Sequence, residues 1–323
     1  MSKKKISFAG DAIDFEEWLE PGGSEPNRVV QPVSGMRANN GPSADPRIFY
    51  QSFGSGSSGN SCYVGTVSGG LLIDAGVRED AVEMHLKSNG VGMNMVKGIL
   101  LTHDHNDHVK YVYKILRNNK GISLFCTNRV MNGILRHHNV SRRIKDYHVP
   151  IFKEIPFKVG DFEVTAFETS HDGTDNMGFS LDYQGRRFVL ATDMGAVTTR
   201  AKHYISEARY LVVEANYDLQ MLMHGPYPEH LKARIITTTG HMDNEDTGKL
   251  LAAIYHDKLS HIFLCHLSKE NNTPAKALET VRRALEARGL SIGDGDNSIA
   301  DRDSDISLVA LPRLEPTRWY VFR

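Results

Sequence analysis

The segment Gly98-Ile-Leu-Leu-Thr-His-Asp-His-Asn-Asp-His-Val109 constrains this chain more than any other. Ile99, Leu100 and Leu101 are a short apolar run, read as a buried strand. His103, His105, Asp107 and His108 follow within six positions. Neutral imidazole and carboxylate are ligands of zinc, manganese and iron. His103 and His105 lie two apart on an extended loop, so their rings can converge on one ion. Asp107 and His108 come as the chain turns into an expected helix over 109–117, where they can face a second ion. A His-rich surface loop is the plain alternative. So dense a pattern rarely arises by chance with 15 His in 323 residues.

The same grammar of strand, then polar residue, then loop recurs along the chain. Asp74 ends the run Gly70-Leu-Leu-Ile. His171 follows the alternating segment Phe162-Glu-Val-Thr-Ala-Phe. Asp193 follows the second arm of a hairpin, 178–182 with 186–191. Glu214 ends Tyr210-Leu-Val-Val, and His266 ends His261-Ile-Phe-Leu-Cys. Side chains presented at strand ends converge along one sheet edge, so a shared site is the preferred reading. Helices are expected over 79–88, 130–138, 247–255 and 275–288, the first and last amphipathic and the third capped by Asp243 or Asn244. His137, His138 and His148 fall outside any ligand pattern and read as surface residues.

Composition narrows the partners less than the motifs do. Hydrophobic residues make up 40% and charged residues 24%, as in an ordinary globular protein. The formal net charge of −1 gives no global basic field for nucleic acid, although a local basic surface remains compatible with it. The cysteines, Cys62, Cys126 and Cys265, are far apart and form no Cys-x-x-Cys, which points to reduced thiols and a cytoplasmic location. No apolar run reaches the roughly 18 residues of a membrane helix, so no membrane partner is expected. Residues 1–46, rich in Gly, Pro, Ser, Asn and charge, are expected to be a disordered tail before one domain over 47–323.

The His-x-His-x-Asp-His cluster followed by a lone His, a lone Asp and a last His resembles the metallo-β-lactamase superfamily. The resemblance implies an α/β fold, a four-layer αββα sandwich, with a hydrolytic metal site on the sheet edge. By that resemblance His103, His105 and His171 hold one divalent ion, and Asp107, His108 and His266 hold a second. Asp193 bridges them. Two such ions, zinc or manganese, would share a water and lower its pKa toward neutrality. Asp107 would orient the nucleophile. Asp74 would be an outer acceptor for a ligating His, and Glu214 a supporting acid.

Substrates of this superfamily range over β-lactams, thioesters, lactones and phosphodiesters. Glu214 in Val213-Glu-Ala-Asn-Tyr-Asp218 and His241 in Gly240-His-Met-Asp-Asn-Glu-Asp246 resemble elements of its nuclease branch, in which a His at this point serves phosphodiester cleavage. The resemblance narrows further. Ser52-Phe-Gly-Ser-Gly-Ser-Ser-Gly-Asn-Ser61, Glu168-Thr-Ser-His-Asp172, Ala191-Thr-Asp-Met-Gly195, Gly225-Pro-Tyr-Pro228 and His266-Leu-Ser-Lys-Glu-Asn-Asn272 are similar to the bacterial YycJ/WalJ family. That family implies a cytoplasmic metal-dependent DNA exonuclease acting from 5′ ends. The chain departs from the pattern at Met242-Asp243, where Leu-Ser is expected. The Ser/Gly/Asn loop lacks the Lys of a nucleotide P-loop, and Ser57, Ser58 and Asn60 become candidates for a substrate phosphate. Asp193 and His266 are too close in sequence for an inserted β-CASP domain. The competing reading is a thioesterase or lactonase on the same metals, which leaves Glu214, His241 and the Ser/Gly/Asn loop unexplained.

Overall fold

Unbroken apolar runs such as Gly98-Ile-Leu-Leu, Tyr210-Leu-Val-Val and Ile262-Phe-Leu-Cys suit strands covered on both faces. In the structure, a computed structural model, they lie in two sheets packed face to face. It describes residues 45–295 and 303–323. Most of the expected tail lies outside the described residues, as do residues 296–302. Asp45 and Pro46 are described, and the Tyr183 hydroxyl donates to the Asp45 carbonyl at 2.9 Å.

The first sheet runs, in spatial order, Tyr320–Phe322, Ile48–Gly54, Ser61–Thr66, Gly69–Ile73, Val96–Leu100, Ser123–Cys126 and His148–Pro150. The second runs Ile292–Gly293, Ile306–Ala310, His261–Cys265, Tyr210–Glu214, Arg186–Ala191, Met177–Tyr183, Phe162–Glu168 and Phe157–Val159. Tyr50 of the first sheet meets Phe263 and Phe188 of the second at ring-centroid distances of 4.8 and 5.1 Å. The period-two alternation of strands assigns the two faces. Tyr210 and Val212 pack into the interior between the sheets, while Leu211 and Val213 pack outward with Leu251, Ile254, Val281 and Leu285. On the other side Val82, Leu86, Val112 and Ile115 cover the first sheet. The layers are therefore helix, sheet, sheet, helix, the αββα sandwich expected from the sequence.

Strand register brings the polar strand ends level. Ala191 pairs with Val213, and Glu214 with Cys265, in parallel ladders, so Asp193, Glu214 and His266 emerge side by side. Ile73 pairs with Leu100, which places Asp74 beside Thr102 and His103.

The expected helix over 109–117 is instead two short helices, Asn106–Val109 and Val112–Asn118. The break has a tertiary cause. Tyr111 N donates to the Ala75 carbonyl at 2.9 Å, and Ala75 N donates back to the His108 carbonyl at 2.7 Å. Two of the three histidines read as surface residues are half-buried with fixed partners. His138 Nε2 lies 2.6 Å from the Asp104 carbonyl, and His148 Nε2 lies 2.9 Å from that of Cys126. Of the two cap candidates Asp243 is the cap, accepting from Asp246 N at 2.7 Å, and the helix begins at Asn244, three residues before the expected start.

Candidate metal centre

Three of the strand-end residues adopt a backbone that L-residues avoid. Asp74, Asp193 and His266 have φ of 61°, 53° and 55°. Such left-handed positions cost of order 1–3 kcal/mol each and cluster at functional sites. Here each lets the chain leave its strand while the side chain turns back over the sheet edge.

Seven donors meet there in two groups. His103, His105 and His171 place ligand atoms within 4.8 Å of one another, as do Asp107, His108 and His266. Asp193 lies between them, its Oδ2 3.4 Å from His108 Nε2 and its Oδ1 3.8 Å from His171 Nε2.

The ring nitrogens turned away from these clusters all have partners. His108 Nδ1 donates to Asp74 Oδ2 at 2.7 Å, and His171 Nδ1 to the Gly240 carbonyl at 2.9 Å. His103 Nδ1 lies 3.0 Å from Thr102 Oγ1, whose hydroxyl also reaches Asp74. His266 Nδ1 lies 3.0 Å from Glu214 Oε1, and His105 Nε2 lies 3.3 Å from Asp172 Oδ1. Outer acceptors of this kind fix the tautomer and aim the remaining lone pair inward. Asp74 and Glu214 stand where the family resemblance expects such acceptors, bonded to His108 and His266. Asp172 was missed, and its only signal was an acid directly after His171.

Glu214 is fully buried and saturated. It accepts from His241 Nδ1 at 2.8 Å, from His266 Nδ1, and from the amides of Met194 at 2.9 Å and Met242 at 3.1 Å. Four donors fill a carboxylate's acceptor sites, so Glu214 is a support and not a free ligand. Burial pushes its carboxyl up, but His241 and His266 outweigh burial and hold it below the usual range. At Met242-Asp243, where the chain departs from the pattern, the backbone amide of Met242 bonds to Glu214 and Asp243 caps the next helix, contacts that Leu-Ser would also make.

The Ser/Gly/Asn loop divides. Asn60 reaches the site, its Nδ2 3.0 Å from both Asp107 Oδ2 and His108 Nε2. Its backbone amide is spent on the Asp107 carbonyl at 2.8 Å. This seam needs glycine: a Cβ on Gly76 would fall 1.6 Å from the Asp107 carbonyl oxygen. Ser57 and Ser58 are exposed at the loop tip. Ser55, not singled out by sequence, accepts from the His266 amide at 2.9 Å.

The family model described as Beta-lactamase superfamily domain matches residues 71–266, which span every strand-end residue just named. An exodeoxyribonuclease YycJ of Bacillus anthracis is 34% identical over 253 residues, covering 76% of this chain and 92% of the relative. An exodeoxyribonuclease WalJ of Streptococcus pneumoniae is 31% identical over 245 residues, covering 76% and 90%. The chain belongs to the YycJ/WalJ family of the metallo-β-lactamase superfamily. Among solved structures, the metallo-β-lactamase-fold protein YhfI from Bacillus subtilis superposes with a TM-score of 0.58 at 12% identity, over 85% of this chain and all of that one.

As a YycJ/WalJ-family protein the chain is a metal-dependent hydrolase that binds divalent metal. The residues present fit that group. His103 Nε2 and His266 Nε2 are buried without a hydrogen-bond partner. An orphaned buried nitrogen is costly unless something pairs with it. The donors are all nitrogen or carboxylate oxygen, and the three cysteines are buried elsewhere, which suits zinc or manganese.

Protons occupy part of this donor set in the ion-free protein. Burial pushes His108 down, yet Asp74, Asp107 and Asp193 outweigh it and raise its pKa from 6.5 to about 9. Asp193, Asp107 and Glu214 likewise raise His266 despite its burial. The partner Asp107 is held at about 2: burial raises it, and His108 and His266 more than offset that. His108 is thus cationic at neutral pH and must lose a proton to bind an ion. Zinc uptake at pH 7 should release protons, and the share from His108 should vanish above about pH 9. Stability of the chelated protein follows the same shift. The contribution of His108 is complete below its ordinary 6.5 and lost as pH rises through about 9. Calorimetry of zinc binding in buffers of different ionisation enthalpy counts the protons; none released at pH 7 would contradict this charge assignment.

Proposed function

We propose that this chain is a dinuclear exodeoxyribonuclease that hydrolyses DNA phosphodiesters from 5′ ends in the cytoplasm. His103, His105 and His171 would hold one ion, Asp107, His108 and His266 the other, and Asp193 would bridge them. When bound, the two ions, zinc or manganese, supply Lewis acidity that acidifies water and offsets phosphate charge.

The observation that carries this reading is His241. It stands beside both clusters, with ring centroids 4.9 Å from His171 and 5.1 Å from His266. Its Nδ1 is committed to the buried Glu214 carboxylate, which fixes the tautomer. Nε2 is left for substrate. A thioester hydrolase, whose thiolate leaves without a proton, has little use for a carboxylate-backed imidazole in addition to seven ligands. A phosphodiester needs one, because its leaving alkoxide must be protonated and its non-bridging oxygens carry charge. In the proposed step Asp107 orients a water whose oxygen forms the new bond to phosphorus while its proton passes to solvent. The bond from phosphorus to the departing sugar oxygen breaks, and that oxygen takes a proton from His241 Nε2.

The surroundings support an extended polar substrate. An open groove of about 250 Å³ begins at His105 and is lined by Asp104, Asn106, His138 and Thr174. It adjoins, through Asn106 and His138, a second groove of about 430 Å³ carrying Lys110, Tyr113 and Lys114. Cations and aromatic rings along a groove suit a nucleic acid strand. Asn60 sits where it can hold Asp107 in place. Ser57 and Ser58, at the tip of the same loop, offer hydroxyls to a phosphate of the incoming strand. Among the described residues no helix is long and apolar enough to cross a membrane.

The test compares linear 5′-phosphorylated DNA, closed circular DNA and an acyl thioester as substrates of the manganese-loaded protein. Linear DNA should be consumed from its 5′ end, and the circle and thioester should be spared. Thioester turnover without DNA turnover would transfer the chain to the competing reading.

A further inference from the structure

His105 differs from the other four imidazoles of the site in what holds it. The outer nitrogens of His103, His108, His171 and His266 rest on buried groups: Thr102, Asp74, the Gly240 carbonyl and Glu214. The His105 side chain is 32% exposed, and its outer nitrogen faces Asp172, itself 29% exposed. A ring on such a rim is free to flip about χ2 unless its acceptor is fixed. Asp172 is fixed from outside. Arg234 Nε and Nη2 both donate to Asp172 Oδ2, at 2.7 and 2.6 Å, which leaves Oδ1 for His105.

Arg234 comes from the helix Glu229–Ile235, within a segment absent from the ligand pattern. That segment has a small apolar cluster of its own, Tyr217, Leu222 and Ile235 with Tyr227 and Leu231. Its exit is bonded to the site, for His241 N donates to the Ile235 carbonyl at 2.9 Å. The Ser170 hydroxyl also donates to the Thr238 carbonyl at 2.8 Å, so the loop bearing His171 and Asp172 is stitched to this segment twice.

We propose that Asp172 and Arg234 are a positioning pair for His105. Arg234 locks the Asp172 carboxylate, and that carboxylate takes the Nε2 proton of His105. Nδ1, 3.3 Å from His171 Nε2, is then the nitrogen presented to the ion. An ordinary exposed ion pair contributes little to stability. This one is bonded on one side only to solvent-facing Arg234, and on the other to a ligand, so its effect should appear in metal affinity. The inference rests on His105 being a ligand, as read above.

The experiment measures zinc affinity by competition with a chromophoric chelator, using the full chain and zinc alone. Outer-shell losses typically cost about 10–100-fold in metal affinity. Arg234→Met and Asp172→Ala should each weaken one zinc by about that factor with little change in Tm. The double variant should bind no worse than Asp172→Ala, because Arg234 acts only through Asp172. Arg234→Lys, which keeps the charge but loses the two-nitrogen grip, should recover part of the loss. In the zinc-loaded protein, ¹⁵N NMR of the imidazoles should show His105 protonated at Nε2, with exchange broadening in Arg234→Met. Singles that bind zinc as tightly as the parent, or losses that add in the double variant, would overturn the pair. His105→Ala separates the two levels. If it keeps both ions, the ligand set itself fails; if it loses one while the singles lose none, only the positioning pair fails.

Discussion

Asp193→Ala should lose at least one divalent ion and nearly all hydrolytic turnover. Asp193 is 2% exposed and lies between the two donor groups, its Oδ1 3.8 Å from His171 Nε2 and its Oδ2 3.4 Å from His108 Nε2. Burial raises its carboxyl, but His266, His108 and His103 outweigh burial and hold it well below the usual range, so it is an anion at every working pH. No neighbour can replace it. Glu214 is consumed by four donors, and Asp74 by His108 and Thr102. Losing an outer-shell partner costs about 10–100-fold in metal affinity, so a carboxylate shared by two ions should cost more than about 100-fold. Elemental analysis of the purified variant checks this, and two ions retained per chain would remove Asp193 from the bridge.

His241→Ala should behave in the opposite way, keeping both ions and its melting temperature while DNA turnover falls. The ring is 18% exposed, and its removal opens no deep cavity. Its Nδ1 bond to Glu214 marks it as carboxylate-backed, and the seven-donor set is complete without it. General acid–base groups contribute about 10²–10⁴-fold in rate, which sets the expected fall in kcat for the variant. Some metal weakening is foreseeable through Glu214, which also holds His266 at 3.0 Å, but Glu214 retains its two amide donors. Steady-state digestion at saturating manganese is the measurement. A variant as fast as the parent returns His241 to a structural role and removes the main ground for preferring phosphodiesters.

Much of this arrangement was legible because the candidate ligands are chemically conspicuous and the strands before them unmistakably apolar. Parallel strands covered on both faces leave runs that no amphipathic helix produces, so strands at 99–101, 210–214 and 261–265 could be read from sequence with the polar residues that follow them, the first starting three residues earlier in the structure, at Val96. What was hidden depends on distant partners. The helix break after Val109 exists because Tyr111 and His108 bond to Ala75 across the loop. The short helices Leu219–His224 and Glu229–Ile235 hold together through the buried Lys232, whose Nζ reaches the Met223 carbonyl at 2.8 Å. Seven residues or fewer carry too little periodicity to announce a helix. Asp172 was hidden for a related reason: an acid beside a His is commonplace, and only the fold brings His105 and Arg234 to its two oxygens. The left-handed backbones of Asp74, Asp193 and His266 left no trace in residue type, since Asp and His reach that region more readily than most.

The most direct test of a two-ion nuclease is a titration of the chelated, metal-free protein with manganese while DNA hydrolysis is followed. Turnover of linear 5′-phosphorylated DNA should be absent without metal and should rise to its plateau at two equivalents per chain. Asp193→Ala should never reach that plateau. Full activity with one equivalent, or DNA left intact at saturating manganese and zinc, would contradict the account.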